Sequence, residues 1–407
     1  MQETKVILLF LLFMESCAPV DEQIPARFDV KTNPPVSVPL ASEPVPNVHT
    51  ATVPLQGIPT TVSYSKSVRP LGPGRRIAEV VDTVISELGP PVPVPHTEVK
   101  RPLIFPPPVR AAPPRSMDKA ISNIRNLGME EGLIFPIVND ILQDNKGNVW
   151  FATDGGISCY DGTNFINLTT DNGLPSARVR GIAEDRKGNI WLASDLGILR
   201  YDGLMITQFL DSTGAPLGSG FTYDVIVDSR GGLWFATFDG ALYFDGAGFT
   251  IPNAPKRLTG TQVYDVMEDS GDALWFTTNK GLYCLDGGLL TAHSSTSMRE
   301  VGLFWNLEED ADGDIWAVSL DGLGVLHLGP DGFQELGRAD GLADETLFAV
   351  APDSSGIWLA STGGLEFLSD KGMLRRYTTV DGLASNKIRS IFNDGKGSIW
   401  AGTYGGG

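Results

Sequence analysis

The 407-residue chain has three cysteines and four histidines, and its 31 Lys and Arg are outnumbered by 49 Asp and Glu, a formal net charge of −18. Each scarcity excludes something. A nucleic-acid binder displaces condensed counterions with Lys and Arg, so no DNA or RNA partner is expected of so acidic a chain. Cysteines at 17, 159 and 284 make no disulfide framework. Cys159 and Cys284 occupy the same place in Gly156-Ile157-Ser158-Cys159 and Gly281-Leu282-Tyr283-Cys284. Equivalent positions three repeats apart in a ring lie far outside disulfide reach, so both are read as small core residues. Long apolar runs are also missing: the first, over residues 6–14, is too short to span a bilayer.

That run begins after Met1-Gln2-Glu3-Thr4-Lys5 and ends at Glu15-Ser16-Cys17. A short apolar stretch closing on a small residue and Cys resembles a bacterial lipoprotein signal, in which Cys17 is lipidated and anchors an exported, periplasmic or outer-membrane protein. Glu15 and Met14 depart from the usual lipobox, which leaves an ordinary cleaved signal and an uncleaved N-terminus as the alternatives.

Proline is abundant in one region only. Residues 18–118 hold 21 of the 28 prolines. Pro fixes φ and removes a ladder donor, so this stretch is expected to be an extended linker without regular sheet. Ile77, Val80, Val81, Val84 and Ile85 recur at helical spacing, compatible with a short amphipathic helix over 76–88.

From 119 to 407 a repeat takes over. Trp150, Trp191, Trp234, Trp275, Trp316, Trp358 and Trp400 are spaced by 41, 43, 41, 41, 42 and 42 residues. A period near 42 with several short strands per unit predicts an all-β propeller of four-stranded blades, because one blade cannot bury its own faces. Seven Trp copies predict seven blades, with the last incomplete after Gly405-Gly406-Gly407 and residues 121–133 available as its outer strand. The chain is therefore expected to continue into further blades or domains.

An Asp precedes each Trp strand, at 144, 185, 228, 269, 310, 353 and 394. Equivalent positions in separate blades cannot share a metal, and an Asp opening a hairpin loop accepts N–H groups across the turn, so these are read as turn residues. Asp310-Ala311-Asp312-Gly313-Asp314 looks like the start of a calcium loop but lacks the later bidentate Glu. No metal and no cofactor are assigned.

The informative positions vary while their neighbours hold constant. On the innermost strand the copies show Asn139, Arg180, Tyr223, Tyr264, Trp305, Phe348 and Arg389, then Asp140, Gly181, Asp224, Asp265, Asn306, Ala349 and Ser390. Rings beside Arg and Asp at a channel mouth suit a small molecule or an oligosaccharide, whose faces stack and whose hydroxyls need donors and acceptors. Arg180, Tyr223, Asp224, Tyr264, Asp265, Trp305 and Arg389 are the candidate ligand-binding residues; channel lining is the alternative. No catalytic residue is assigned.

The run Val179-Arg180-Gly181-Ile182-Ala183-Glu184-Asp185 through Gly188-Asn189-Ile190-Trp191-Leu192-Ala193-Ser194 to Gly197-Ile198 and Tyr201-Asp202-Gly203 resembles the two-component regulator propeller repeat. Asn172-Gly173-Leu174, Asp340-Gly341-Leu342 and Asp381-Gly382-Leu383 match its inter-blade element. The resemblance implies the periplasmic sensor of a hybrid histidine kinase, recognising a glycan fragment and passing the bound state to a downstream signalling domain or protein partner. None of His49, His96, His293 and His327 lies in a phospho-acceptor pattern, so no kinase activity is expected within these residues. A lipid-anchored interaction scaffold is the second reading. The third is a lyase resembling streptogramin lyase, on Leu274-Trp275-Phe276-Thr277.

Overall fold

A computed structural model describes residues 68–72, 74–76, 80–87, 89–114, 124–218, 220–253, 261–295, 303–330 and 332–407. Cys17 and His49 lie outside the described residues. The structure is an all-β propeller with six complete blades. Blade 1 is an antiparallel meander of Val138–Gln143, Val149–Thr153, Gly156–Tyr160 and Asn164–Leu168. Its five equivalents start on the inner strands Val179–Glu184, Thr222–Val227, Val263–Glu268, Phe304–Glu309 and Leu347–Asp353. The seventh Trp copy forms a two-stranded hairpin, Ile388–Asn393 with Ile399–Thr403.

Adjacent blades bury one another. Trp150, Ala152 and Ile157 of blade 1 share a core with Ile182, Leu192 and Leu199 of blade 2. Trp316 and Val318 of blade 5 do so with Leu347, Val350 and Leu359 of blade 6. The hairpin is held from both sides, Phe392 and Trp400 against blade 1 and Ile388 with Ala401 against blade 6. Residues 121–133 do not serve as its outer strand. Residues 121–123 lie outside the described ones, Ile124 packs beside Leu383 and Ile388, and Met129–Glu131 is a 3₁₀ turn. Among the described residues no third strand lies beside the hairpin for a fourth to pair with.

The repeated Asp and Trp are one device. Asp185 Oδ1 accepts the N–H groups of Lys187 and Asn189 at 2.9 Å each, closing the turn, while Oδ2 accepts Trp191 Nε1 at 2.8 Å. Asp144, Asp228, Asp269 and Asp310 bind their own indoles in the same way. The six-residue offset thus satisfies a buried donor. In blade 6 the loop is one residue shorter, and Trp358 Nε1 has no partner among the described residues. Trp191→Phe should therefore cost about 1 kcal/mol beyond its packing loss through the lost bond to Asp185, whereas Trp358→Phe should cost its packing loss alone. Urea unfolding of the two variants checks this.

The Pro-rich segment is the largest departure from expectation. Its described residues contribute six strands, β1 (Val68–Pro70), β2 (Arg75–Arg76), β3 (Val80–Glu87), β4 (Gly89–Val94), β5 (His96–Pro102) and β6 (Val109–Arg110). Each adds antiparallel as a fifth, outermost strand, and in chain order they visit blades 6, 5, 4, 3, 2 and 1. The segment is a belt that runs against the blade order. Proline is tolerated because an edge strand turns alternate N–H groups to solvent. Where two prolines are adjacent, Pro90 and Pro91 lie in a bulge, the register slipping between Ile251 and Asn253. The helix considered over 76–88 is replaced by β3, paired along Leu289–Ser295. Val80, Val81, Thr83, Val84 and Ile85 are β-branched, and a waiting sheet edge outweighs a local helical period.

Candidate functional site

Each inner strand carries the same irregularity. Pairing to the second strand slips between Val138 and Asp140, Val179 and Gly181, Thr222 and Asp224, Val263 and Asp265, Phe304 and Asn306, Leu347 and Ala349, and Ile388 and Ser390. The skipped residue is the variable one every time. A β-bulge adds a residue and re-aims its side chain. Here the bulges bring two consecutive residues from six of the strands, and Arg180 alone of the pair in blade 2, to a cavity of about 410 Å³. All seven candidate residues line it: Arg180, Tyr223, Asp224, Tyr264, Asp265, Trp305 and Arg389.

The mouth divides into two arcs. One is aromatic: Tyr264 stacks on Trp305 at 5.3 Å and 29°, and Tyr223 meets Tyr264 edge-on at 5.2 Å. Burial pushes the Tyr223 phenol up to about 12, so it stays neutral. The other arc is polar and comes from the hairpin and blades 1 and 2. Arg389 Nε donates to Asn139 Oδ1 at 2.6 Å, and Asn139 Nδ2 to Asp154 Oδ1 at 2.8 Å. Arg178 bridges Asp154 at 3.2 Å and Asp195 at 3.5 Å, and Arg180 Nε reaches Asp195 Oδ1 at 2.6 Å. Arg180 also lies 5.6 Å from the Tyr223 centroid, joining the arcs.

Beneath the mouth is a layer of acids that also ties blades together. Asp140 accepts the N–H of Ile141 at 2.7 Å and of Ile182 in blade 2 at 2.9 Å. Asp265 accepts from Val266, from Leu307 of blade 5 and from Asn306 Nδ2. Asn306 Oδ1 in turn accepts Val350 N of blade 6 at 2.8 Å. Asp224 accepts from the backbone of Val266 in blade 4, so Asp224 and Asp265 are both blade latches as well as cavity lining. Gly181 is where Asp224 leans over: a Cβ there would lie 2.9 Å from Asp224 Cα.

Despite these donors, burial raises the carboxyls. Asp140 is held at about 8 by burial and then by the Asp224 charge. Asp265 is raised well above its usual range by burial and by Asp224, to which it is hydrogen-bonded, and burial raises Asp224 too. Glu308, deeper in the channel, is pushed up to about 8 by burial and Asp224. The pattern of variable mouth residues does not reveal Glu308. Its signal lies one tier down, where the other copies carry Leu142, Ala183, Ile226, Met267, Ala351 and Phe392. Asp154 and Asp195 arrive from second-strand turns and carry no comparable signal.

Away from the channel, Asp310, Asp314 and His327 come close enough to hold an ion, with His327 Nε2 2.8 Å from Asp314 Oδ2. Asp310 already spends one oxygen on Trp316 and the other on two backbone N–H groups. Its carboxylate is a turn group, as in the other blades.

No curated protein matches the chain by sequence. Among solved structures, selenomethionine-substituted virginiamycin B lyase from Staphylococcus aureus superposes with a TM-score of 0.55 at 14% identity, covering 76% of this chain and 97% of that one. The extracellular domain of the putative one component system BT4673 from B. thetaiotaomicron gives 0.53 at 20% identity, covering 66% of this chain and 39% of that one. At these identities the likeness is one of fold. Residues 132–155, 173–195 and 382–405 match the family profile described as two component regulator propeller. The three matched segments fall on the first two strands of blade 1, the first two strands of blade 2 and the hairpin.

Proposed function

We propose that this propeller is the extracytoplasmic ligand-sensing part of a two-component signalling system, and that its ligand, a glycan fragment, enters the channel mouth. The observation that carries the reading is the bulge repeated in all seven inner strands, which presents an aromatic arc opposite an Arg-Asn-Asp arc. A sugar ring needs both, an apolar face to stack on and paired donors and acceptors for its hydroxyls. The hairpin is read as the opening strands of a seventh blade. Bound ligand is passed on to a downstream domain or protein partner by rigid-body docking, since packed blades resist deformation. Export through the N-terminal signal and tethering by a lipid on Cys17 complete the proposal; loss of membrane association in Cys17→Ser checks the tether.

A lyase reading has less support. His96 is on the belt, His293 on an outer strand and His327 on a third strand, and none lines the channel. Calorimetry of the purified protein against neutral and acidic oligosaccharides tests the sensing reading. Binding should weaken about tenfold or more in Trp305→Ala, in line with a stacking contribution near 1.5 kcal/mol. Heat of binding unchanged in Trp305→Ala, or no heat with any sugar, defeats it.

A further inference from the structure

The three arginines of the mouth are not equally matched. Arg178 and Arg180 share Asp154 and Asp195. Arg389 has no carboxylate within ion-pair distance among the described residues, and its Nε is met by the neutral amide of Asn139. The Asn139 amide nitrogen is committed to Asp154 and to Val179 O, so the charge of Asp154 reaches Arg389 only from a distance and forms no ion pair with it. The guanidinium lies over two aromatic rings, 6.0 Å from the Trp305 centroid and 5.8 Å from that of Phe348. Among the described residues its two terminal nitrogens have no hydrogen-bond partner, and Arg389 lines the cavity.

None of the acids below, Asp224 included, forms an ion pair with Arg389 among the described residues. Burial, with the Asp224 charge, raises Asp140 and Glu308 to about 8, and burial and Asp224 raise Asp265 well above its usual range. Burial and then the charge of Arg180 lower Arg389 only to about 10, so it is cationic at neutral pH. An enclosed cation without a matching anion is costly. Gln at this position would also reach Asn139 without that cost. A guanidinium kept with its fork open to a cavity is suited to a planar or tetrahedral oxyanion, which it binds through two parallel N–H groups.

We propose that the open fork of Arg389 binds an oxyanion substituent of the ligand, a carboxylate or sulfate, while the ring bearing it lies against Trp305. This rests on the reading of the mouth as the ligand site. The favoured ligand class is an acidic sugar over its neutral counterpart.

The test compares methyl glucuronide, methyl glucoside and sodium sulfate on the full chain at pH 7, by calorimetry and by displacement between probes. Glucuronide should bind at least tenfold more tightly than glucoside, with sulfate competing. In Arg389→Gln that preference should vanish, and Arg389→Lys should keep part of it because a point charge replaces the fork. A cooperative thermal transition in Arg389→Gln separates loss of the anion contact from loss of the fold. Equal binding of glucuronide and glucoside overturns the anion seat while leaving a sugar-sensing mouth in place. Sulfate bound through Arg389 with no sugar bound by any measure overturns the sugar reading and keeps the seat. A preference that survives in Arg389→Gln, or no binding of either anion, removes the proposal.

Discussion

A chain beginning at residue 111 should unfold more than about 10 °C below the full-length protein, or aggregate on expression, because it lacks the belt. Two effects combine. Without β1 to β6 the fourth strand of every complete blade becomes a bare edge, and unprotected edges pair with other chains. The belt also plugs the seams between blades. Leu103 is 7% exposed and sits in the core shared by blades 1 and 2, Val94 packs on the cluster of blades 2 and 3, and Leu71 packs on that of blades 5 and 6. The His96 ring spans a seam, 6.0 Å from Phe209 and 5.0 Å from Phe249. Losses of this kind cost about 2–5 kcal/mol per large buried side chain, and for a chain of this size even one such loss moves the midpoint by several degrees. Scanning calorimetry of the truncated chain checks this, and so does a peptide spanning 68–110 added in trans, which should restore part of the midpoint. Equal midpoints with and without the belt would mean that the outer strands only decorate the ring. Leu103→Ala in the intact chain is the finer probe, with an expected loss of about 2–3 kcal/mol.

The belt shows why one part of the fold was legible in the sequence and another was not. Blades are local: strand, turn and strand follow within about 42 residues, and the Asp, Trp and Gly marking each turn recur because each meets the same backbone need. β4 instead pairs with a strand about 160 residues further on, and nothing in Gly89-Pro90-Pro91-Val92 announces Phe249. Proline content argued against sheet, yet it forbids only interior strands. An outermost strand paired on one side escapes the rule.

The channel was legible for a different reason. Arg180, Tyr223, Tyr264, Trp305 and Arg389 stood out because structure holds their neighbours constant, and the bulge explains why that one position is free to vary. What the pattern could not convey is which of these groups are already matched. Arg180 is paired to an Asp from the turn after the second strand of its own blade, whereas Arg389 meets only an amide. Likewise Asp224 and Asp265 read as ligand contacts in the sequence, but three-dimensional pairing shows them holding the next blade as well. Charge balance in a ring is a sum over all blades, and no single repeat contains it.

That balance leads to the second large effect: the propeller should be more stable at pH 5 than at pH 8. Asp140 and Glu308 are held at about 8 in the folded channel, against ordinary values near 4 in an unfolded chain. Between those limits the native state binds more protons than the unfolded state, so unfolding free energy falls as pH rises. Stabilisation from these groups is fully present below about pH 4, is lost progressively as pH climbs to 8, and changes no further above it. Each fully shifted group contributes at most about 1.4 kcal/mol per pH unit, and water in the channel reduces this, so a combined slope of about 1 kcal/mol per unit is expected. Below pH 4 the trend reverses, because Asp185 and Asp202, whose hydrogen bonds hold them below the usual carboxylate range, begin to protonate. The net charge of −18 also disfavours the compact state as pH rises, which makes the wild-type slope alone ambiguous. Glu308→Gln resolves it. The Glu308 side chain makes no hydrogen bond to the described residues, and six other copies place an uncharged side chain at its position, so the amide should fold unchanged. At pH 8 it should gain on the order of 1–3 kcal/mol over wild type, with no gain at pH 4. Denaturant melts at both values measure the difference, and a gain independent of pH would show that Glu308 is ionised throughout and that the channel floor carries its charge at neutral pH.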